Sequence, residues 1–152
     1  MIVKSIVWPD EDATRAFAQA LAAQPGLADL FIELRGDLGA GKTTFVRHLL
    51  GALGVRGRIK SPTYAVVEPY ELENGANIWH FDFYRFNDPD EWEEAGFREL
   101  FASPGLKLVE WAAHAGPHIP QADLVIAIDT TNSDVRTVTL TALTNTGARL
   151  LP

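Results

Sequence analysis

Gly36-Asp37-Leu38-Gly39-Ala40-Gly41-Lys42-Thr43 satisfies the pattern G-x-x-x-x-G-K-[ST]. Each fixed position has a task in holding a polyphosphate. Gly36 and Gly41 admit backbone conformations that turn successive N–H groups toward one point, and a helix N-terminus beyond them completes an anion site. Lys42 brings a positive charge within reach of the β- and γ-phosphates. Thr43 offers a hydroxyl to a Mg²⁺ ion that bridges the same phosphates. At background residue frequencies the four fixed positions coincide in about 0.5% of chains this long. The expected nucleotide-binding stretch is Asp37, Leu38, Gly39, Ala40, Gly41, Lys42, Thr43 and Thr44.

A nucleotide hydrolase of this kind needs an acid at a strand end beside the loop. Three residues compete. Asp129 ends the apolar run Leu124-Val125-Ile126-Ala127-Ile128, Glu110 ends Leu106-Lys107-Leu108-Val109, and Asp82 follows Ile78-Trp79-His80-Phe81. Hydrophobic pattern alone slightly favours Asp129, with a surface acid opening a turn as its bland alternative. Glu110 has Trp111 beside it, and Asp82 has His80 and Arg85. Clustering of that kind suggests a site, and the residues leave the choice open between Glu110 and Asp82. Thr63, in Ser61-Pro62-Thr63-Tyr64, is placed to sense a γ-phosphate or Mg²⁺ as a switch loop does, or to sit in a plain turn bent by Pro62.

Other clusters read more blandly. His114 and His118 are four apart, but Gly116-Pro117 breaks the helix that would align them on a metal. His80 is a candidate ligand or base and equally a histidine packed beside a strand. Phe81, Phe83, Tyr84 and Phe86 read as packing rather than a base-stacking platform. Asp88, Asp90, Glu91, Glu93 and Glu94 read as a solvated helix face, or a dock for a basic partner.

These residues need elements to carry them. Ile2 to Val7 reads as a strand, and 12–23 as an amphipathic helix opened by acids and ended by Gln24-Pro25-Gly26. Leu30 to Leu34 is a strand running straight into Gly36. A helix follows Lys42, with Val46, Leu49, Leu50 and Leu53 on one face and Gly54 as its stop. Residues 55–63 form a basic loop. Tyr64 to Leu72, interrupted at Pro69, and Ile78 to Phe83 form a hairpin about Asn74-Gly75. An acidic helix runs from Asp88 to about Ala95. Leu106 to Trp111, Leu124 to Ile128 and Val135 to Leu143 are strands. The order predicts an α/β fold of P-loop type in three layers, a mixed sheet with parallel core strands and antiparallel additions.

The 152 residues are 47% hydrophobic and 22% charged, which suits one domain over 1–152. Thirteen Lys and Arg against 20 Asp and Glu give a net charge of −7, a poor balance for gripping a nucleic-acid backbone unaided. There is no cysteine, so disulfides, thiolate zinc sites and a cysteine nucleophile are excluded. No secretory signal or membrane-length apolar run is seen. The expectation is a soluble, cytoplasmic protein.

Taken together, these motifs resemble the TsaE (YjeE) family, bacterial P-loop ATPases of tRNA threonylcarbamoyladenosine biosynthesis. The resemblance runs through Gly36 to Thr44, Lys60-Ser61-Pro62-Thr63-Tyr64 with Val67-Glu68-Pro69-Tyr70, and His80-Phe81-Asp82-Phe83-Tyr84-Arg85. It continues through Gly96-Phe97-Arg98-Glu99-Leu100-Phe101 and Leu108-Val109-Glu110-Trp111. Trp92 and Ala112 stand where the family pattern has Leu and Pro. The resemblance implies catalytic roles for Lys42, Asp82 and Glu110, with Thr43 and Glu110 at the metal, and it removes Asp129. It implies that Thr63 touches the γ-phosphate or Mg²⁺ and that Glu11 and Arg136 approach the nucleotide base. It further implies ATP and Mg²⁺ as ligands and docking on TsaD and TsaB, the threonylcarbamoyl transferase pair, which slow hydrolysis would reset. RNA contact would be left to those partners.

Three other readings fit a P-loop. A small-molecule or nucleoside kinase would use Asp82 as base, but Arg85, Arg98 and Arg136 are too dispersed for an arginine-rich lid. A GTPase would carry N-K-x-D, which is absent. A binding module with a vestigial loop would show no metal-dependent turnover.

Overall fold

The computed structural model describes residues 1–62, 65–130 and 134–152, and its strands follow the apolar runs of the sequence. They are β1 (Ile2–Trp8), β2 (Phe31–Arg35), β3 (Val67–Glu71), β4 (Asn77–Asp82), β5 (Leu106–Glu110), β6 (Leu124–Asp129) and β7 (Arg136–Ala142). All seven join one sheet in the order β1-β7-β6-β2-β5-β4-β3. The four central strands β6, β2, β5 and β4 are parallel. Strands β7 and β1 extend one edge antiparallel, and β3 extends the other. Pro69, which lacks an amide donor, is tolerated because β3 is an edge strand.

Helix α1 (Glu11–Ala22) starts where Asp10, in extended conformation, accepts from the Ala13 amide at 2.9 Å. Helix α2 (Lys42–Ala52) follows the glycine-rich loop. It closes with a Schellman pair, Val55 N–H to Leu50 O at 3.0 Å and Gly54 N–H to Gly51 O at 3.1 Å. Helix α3 (Pro89–Glu94) is the acidic helix expected after Asp88. Helices α4 (Phe97–Ala102) and α5 (Asn145–Ala148) were not expected; six and four residues are too few to show a helical period. The strand expected from Tyr64 starts only at Val67, and Tyr64 lies outside the described residues.

Alternation along the central strands sorts the interior into two cores. Ile32, Leu34, Leu106, Leu108, Leu124 and Ile126 pack against Leu21 of α1 and Phe45, Leu49 and Leu50 of α2. Phe31, Phe81, Val109 and Val125 point the other way, into a core with Trp92 of α3 and Phe97 of α4. Each such side chain withdrawn from water contributes about 1.5–3 kcal/mol before entropy is subtracted. No described helix is long and apolar enough to cross a membrane.

The parallel core has one consequence for chemistry. Its strands end at Arg35, Asp82, Glu110 and Asp129. The glycine-rich loop and all three candidate acids therefore emerge from the same end of the sheet.

Candidate functional site

The loop between β2 and α2 depends on two glycines. Gly36 has φ +151°, and a Cβ there would stand 2.7 Å from the Ile128 carbonyl oxygen. The chain passes against the end of β6 only because no side chain intervenes. Gly41 has φ +110° and precedes α2 with no side-chain cap. The Phe45 amide closes the first helical turn on Gly41 O at 3.0 Å. The amides of Lys42, Thr43 and Thr44 thus precede the first intrahelical donor and stand at the positive end of the helix. Asp37, Leu38 and Gly39 are exposed around them, and Ala40 is buried beneath. The Ala40 carbonyl accepts from Arg136 Nε at 2.8 Å, tying the loop to the start of β7.

Lys42 turns back under its own loop. It is only 5% exposed, donates to Gly36 O at 2.5 Å, and lies 3.6 Å from the centre of the Trp111 ring. Burial lowers its pKa, against the attraction of Glu110, Asp82 and Asp37. Trp111 follows β5 directly in the left-handed region, at φ 58° and ψ 41°. Only glycine, and less often asparagine, adopts that region readily, so the turn that aims this indole at Lys42 is strained. Tyr84 and His114 pack around the indole at ring separations of 5.0 and 5.2 Å, and His114 Nδ1 lies 2.8 Å from Tyr84 O.

The two acids favoured over Asp129 are neighbours across parallel strands, since Asp82 and Glu110 are register partners of β4 and β5. Glu110 is 2% exposed and Asp82 7%. Thr43 Oγ1 lies 3.2 Å from each carboxylate oxygen of Glu110. His80 Nε2 lies 2.6 Å from Glu110 Oε2. Asp82 Oδ1 accepts from the Tyr84 amide at 2.8 Å.

Two clefts meet at this loop. One of about 250 Å³ is lined by Leu38, Gly39, Gly41, Lys42, Thr43, Thr44, Asp82, Glu110, Trp111 and Arg136. The other, of about 400 Å³, lies between the loop and the start of α1 and includes Trp8, Glu11, Thr14, Gly41, Thr44 and Arg136. Glu11 is held there by His48 Nε2 at 3.0 Å. Gly41, Thr44 and Arg136 belong to both clefts. Asp129 is exposed and lines neither. Thr63 lies outside the described residues.

The structure thus brings Lys42, Thr43, Asp82, Glu110 and Arg136 into one small cleft, with Glu11 in the cleft beside it. Its further participant is His80, two residues before Asp82 and so on the same face of β4. That spacing was a legible signal; the partner across the strands was not.

The family model for the threonylcarbamoyl adenosine biosynthesis protein TsaE matches residues 8–138. The Haemophilus influenzae protein named tRNA threonylcarbamoyladenosine biosynthesis protein TsaE is 39% identical over 90% of this chain and 85% of its own length. The Bacillus subtilis protein of that name is 37% identical over 94% of this chain and 89% of its own. The crystal structure of Bacillus subtilis YdiB superposes with a TM-score of 0.77 at 31% identity, covering 99% of this chain and 93% of that one. By sequence and by fold, the chain belongs to the TsaE family.

Proposed function

We propose that this chain is a Mg²⁺-dependent P-loop ATPase that serves tRNA threonylcarbamoyladenosine biosynthesis, the role carried in its relatives' names. The observation that supports this best is the facing of Thr43 and Glu110 at 3.2 Å in the cleft that also holds Lys42 and Asp82. The two cores on opposite faces of the sheet suit the three-layer arrangement of P-loop proteins.

The residues fit the ion and the nucleotide. A hydroxyl facing a carboxylate is a hard-oxygen donor pair, and Mg²⁺ takes few protein ligands beside phosphates and waters. Held by Thr43 and Glu110, the ion would neutralise part of the phosphate charge. The uncapped amides of α2 would hold the β-phosphate, and Lys42 would move its charge from the Gly36 carbonyl toward the γ-phosphate. Asp82, fixed by the Tyr84 amide, would orient the attacking water. The larger cleft, with Glu11 and Arg136, would take ribose and base. Thr63 would contact the γ-phosphate or Mg²⁺.

Hydrolysis would reset the TsaB–TsaD transferase between turnovers, with this chain docked on that pair. A net charge of −7 suits contact with proteins and nucleotide rather than tRNA. Phosphate release from Mg-ATP tests the site. Lys42→Ala should abolish ATP binding and Glu110→Ala should abolish turnover; unchanged hydrolysis in both variants overturns the assignment. Repeated rounds of modification by TsaB and TsaD should require active, not Glu110→Ala, protein.

A further inference from the structure

The closest polar contact of Glu110 is with His80, a fully buried residue to which the proposed ATPase assigns no step. Glu110 Oε2 lies 2.6 Å from His80 Nε2, while Thr43 is shared between Oε1 and Oε2 at 3.2 Å each. Among the described residues, Thr43 is the only hydrogen-bond partner of Oε1. The other nitrogen of the imidazole, Nδ1, is buried and has no hydrogen-bond partner among the described residues. An N–H left unbonded at Nδ1 would be stranded away from water. The tautomer with its hydrogen on Nε2 strands no donor and donates to the carboxylate. Packing needs alone would be met by an apolar ring, without an orphaned nitrogen in the interior.

We infer that His80 is the positioning residue of the metal centre. By donating to Oε2 it commits one carboxylate oxygen of Glu110 to the protein and presents the other, Oε1, beside Thr43, to the metal. The inference rests on reading Glu110 as the metal's carboxylate. It needs only three groups: a donor in the β4 wall, a carboxylate at the end of β5, and a hydroxyl at the start of α2. Each belongs to a rigid element, so the carboxylate rotamer is set before nucleotide arrives. Outer partners of this kind tune metal affinity by about 10- to 100-fold when removed.

Geometry chooses the variants. The side-chain amide nitrogen of glutamine overlays Nε2 of histidine, while that of asparagine overlays Nδ1. His80→Gln therefore keeps the donor, His80→Asn misplaces it, and His80→Phe keeps a ring without it. ADP binding by the full chain is measured by calorimetry, in EDTA and across a Mg²⁺ titration, with thermal melting as the check on folding. All folded variants should bind ADP in EDTA as the wild type does. His80→Phe and His80→Asn should need about tenfold more Mg²⁺ for the metal-linked gain in affinity, and His80→Gln should stay near wild type. Either donor-removing variant suffices if the other fails to fold. A wild-type Mg²⁺ requirement in a folded donor-removing variant overturns the role of His80 alone. A wild-type protein whose ADP affinity ignores Mg²⁺ overturns the reading of Glu110 and this inference with it.

Discussion

The Lys42 ammonium stands 3.6 Å from the centre of the Trp111 ring, over the face of the indole that immediately follows Glu110. A cation on an indole face is attracted by about 0.5–2 kcal/mol, and phosphates compete for the same charge. Nucleotide should therefore draw Lys42 off the ring and alter Trp111 emission. Titration with Mg-ADP followed by tryptophan fluorescence checks this, and the change should vanish in Trp111→Phe. An undiminished change in that variant assigns the signal to another indole, such as Trp8 in the larger cleft.

Thr43 separates hydroxyl chemistry from bulk. Thr43→Ser keeps the oxygen that faces Glu110, whereas Thr43→Val keeps the shape and removes it. Loss of a hydrogen bond to a charged group is worth about 1.5–3 kcal/mol. The Val variant should need at least about tenfold more Mg²⁺ for nucleotide binding, and the Ser variant should not. Equal behaviour of the two would remove the hydroxyl from the metal site.

Arg136 should act on the nucleotide rather than on the ion. It ties down Ala40 O at 2.8 Å and lines both clefts. Arg136→Met should weaken ADP affinity about tenfold, the scale of one hydrogen bond, and leave its Mg²⁺ dependence unaltered. Calorimetry with and without the ion reads both quantities.

Gly36→Ala joins an unfavourable φ of +151° to a Cβ at 2.7 Å from backbone oxygen. Neither the loop nor the end of β6 yields without displacing the other. A loss of about 2 kcal/mol or more in unfolding free energy is expected, as for other strained backbone sites. Urea denaturation measures it, and a midpoint matching wild type would show that the loop is not braced on Ile128.

Lys107 provides the pH test. It is 4% exposed, donates to Ser103 O, and lies 5.5 Å from the Trp79 ring centre. Burial holds its pKa below the ordinary lysine range, against the attraction of Asp29 and Asp123. Between the lowered value and about 10.5 the unfolded chain binds more protons than the folded one, so stability rises with pH in that window. Unfolding free energies should show wild type gaining on Lys107→Met as pH climbs toward about 10.5. A constant difference between the two would refute the lowered pKa.

Much of this architecture was legible in the residues, for physical reasons that differ by element. The seven strands could be read because their apolar runs are bounded by Gly, Pro and Asn, and the start of α2 because a glycine-rich loop dictates it. Helix α4 escaped because Phe97 to Ala102 is shorter than two helical turns; its ends are set by packing Phe97 and Phe101 on the sheet. Asp129 stood highest on hydrophobic pattern because that pattern reports burial of a strand, and β6 is indeed buried. It carries no information on which strand lies beside which. The pairing of β4 with β5, which sets Asp82 beside Glu110, is a property of strand order. The left-handed backbone at Trp111 left no trace in the sequence either, since no glycine or asparagine marks it.

The parallel core also sets one end of the sheet apart from the chemistry. The turn at Asn74-Gly75 precedes β4, whose far end is Asp82, so the hairpin tip projects from the side opposite the clefts. It is closed by its own bonds, Gly75 N–H to Leu72 O and Ala76 N–H to the Asn74 side chain, both at 2.9 Å. A fluorophore or surface tether fixed there would ride on the rigid sheet, about six residues of extended strand or roughly 20 Å from the phosphate loop. It would report the protein's encounters while leaving the loop, both acids and the indole unencumbered.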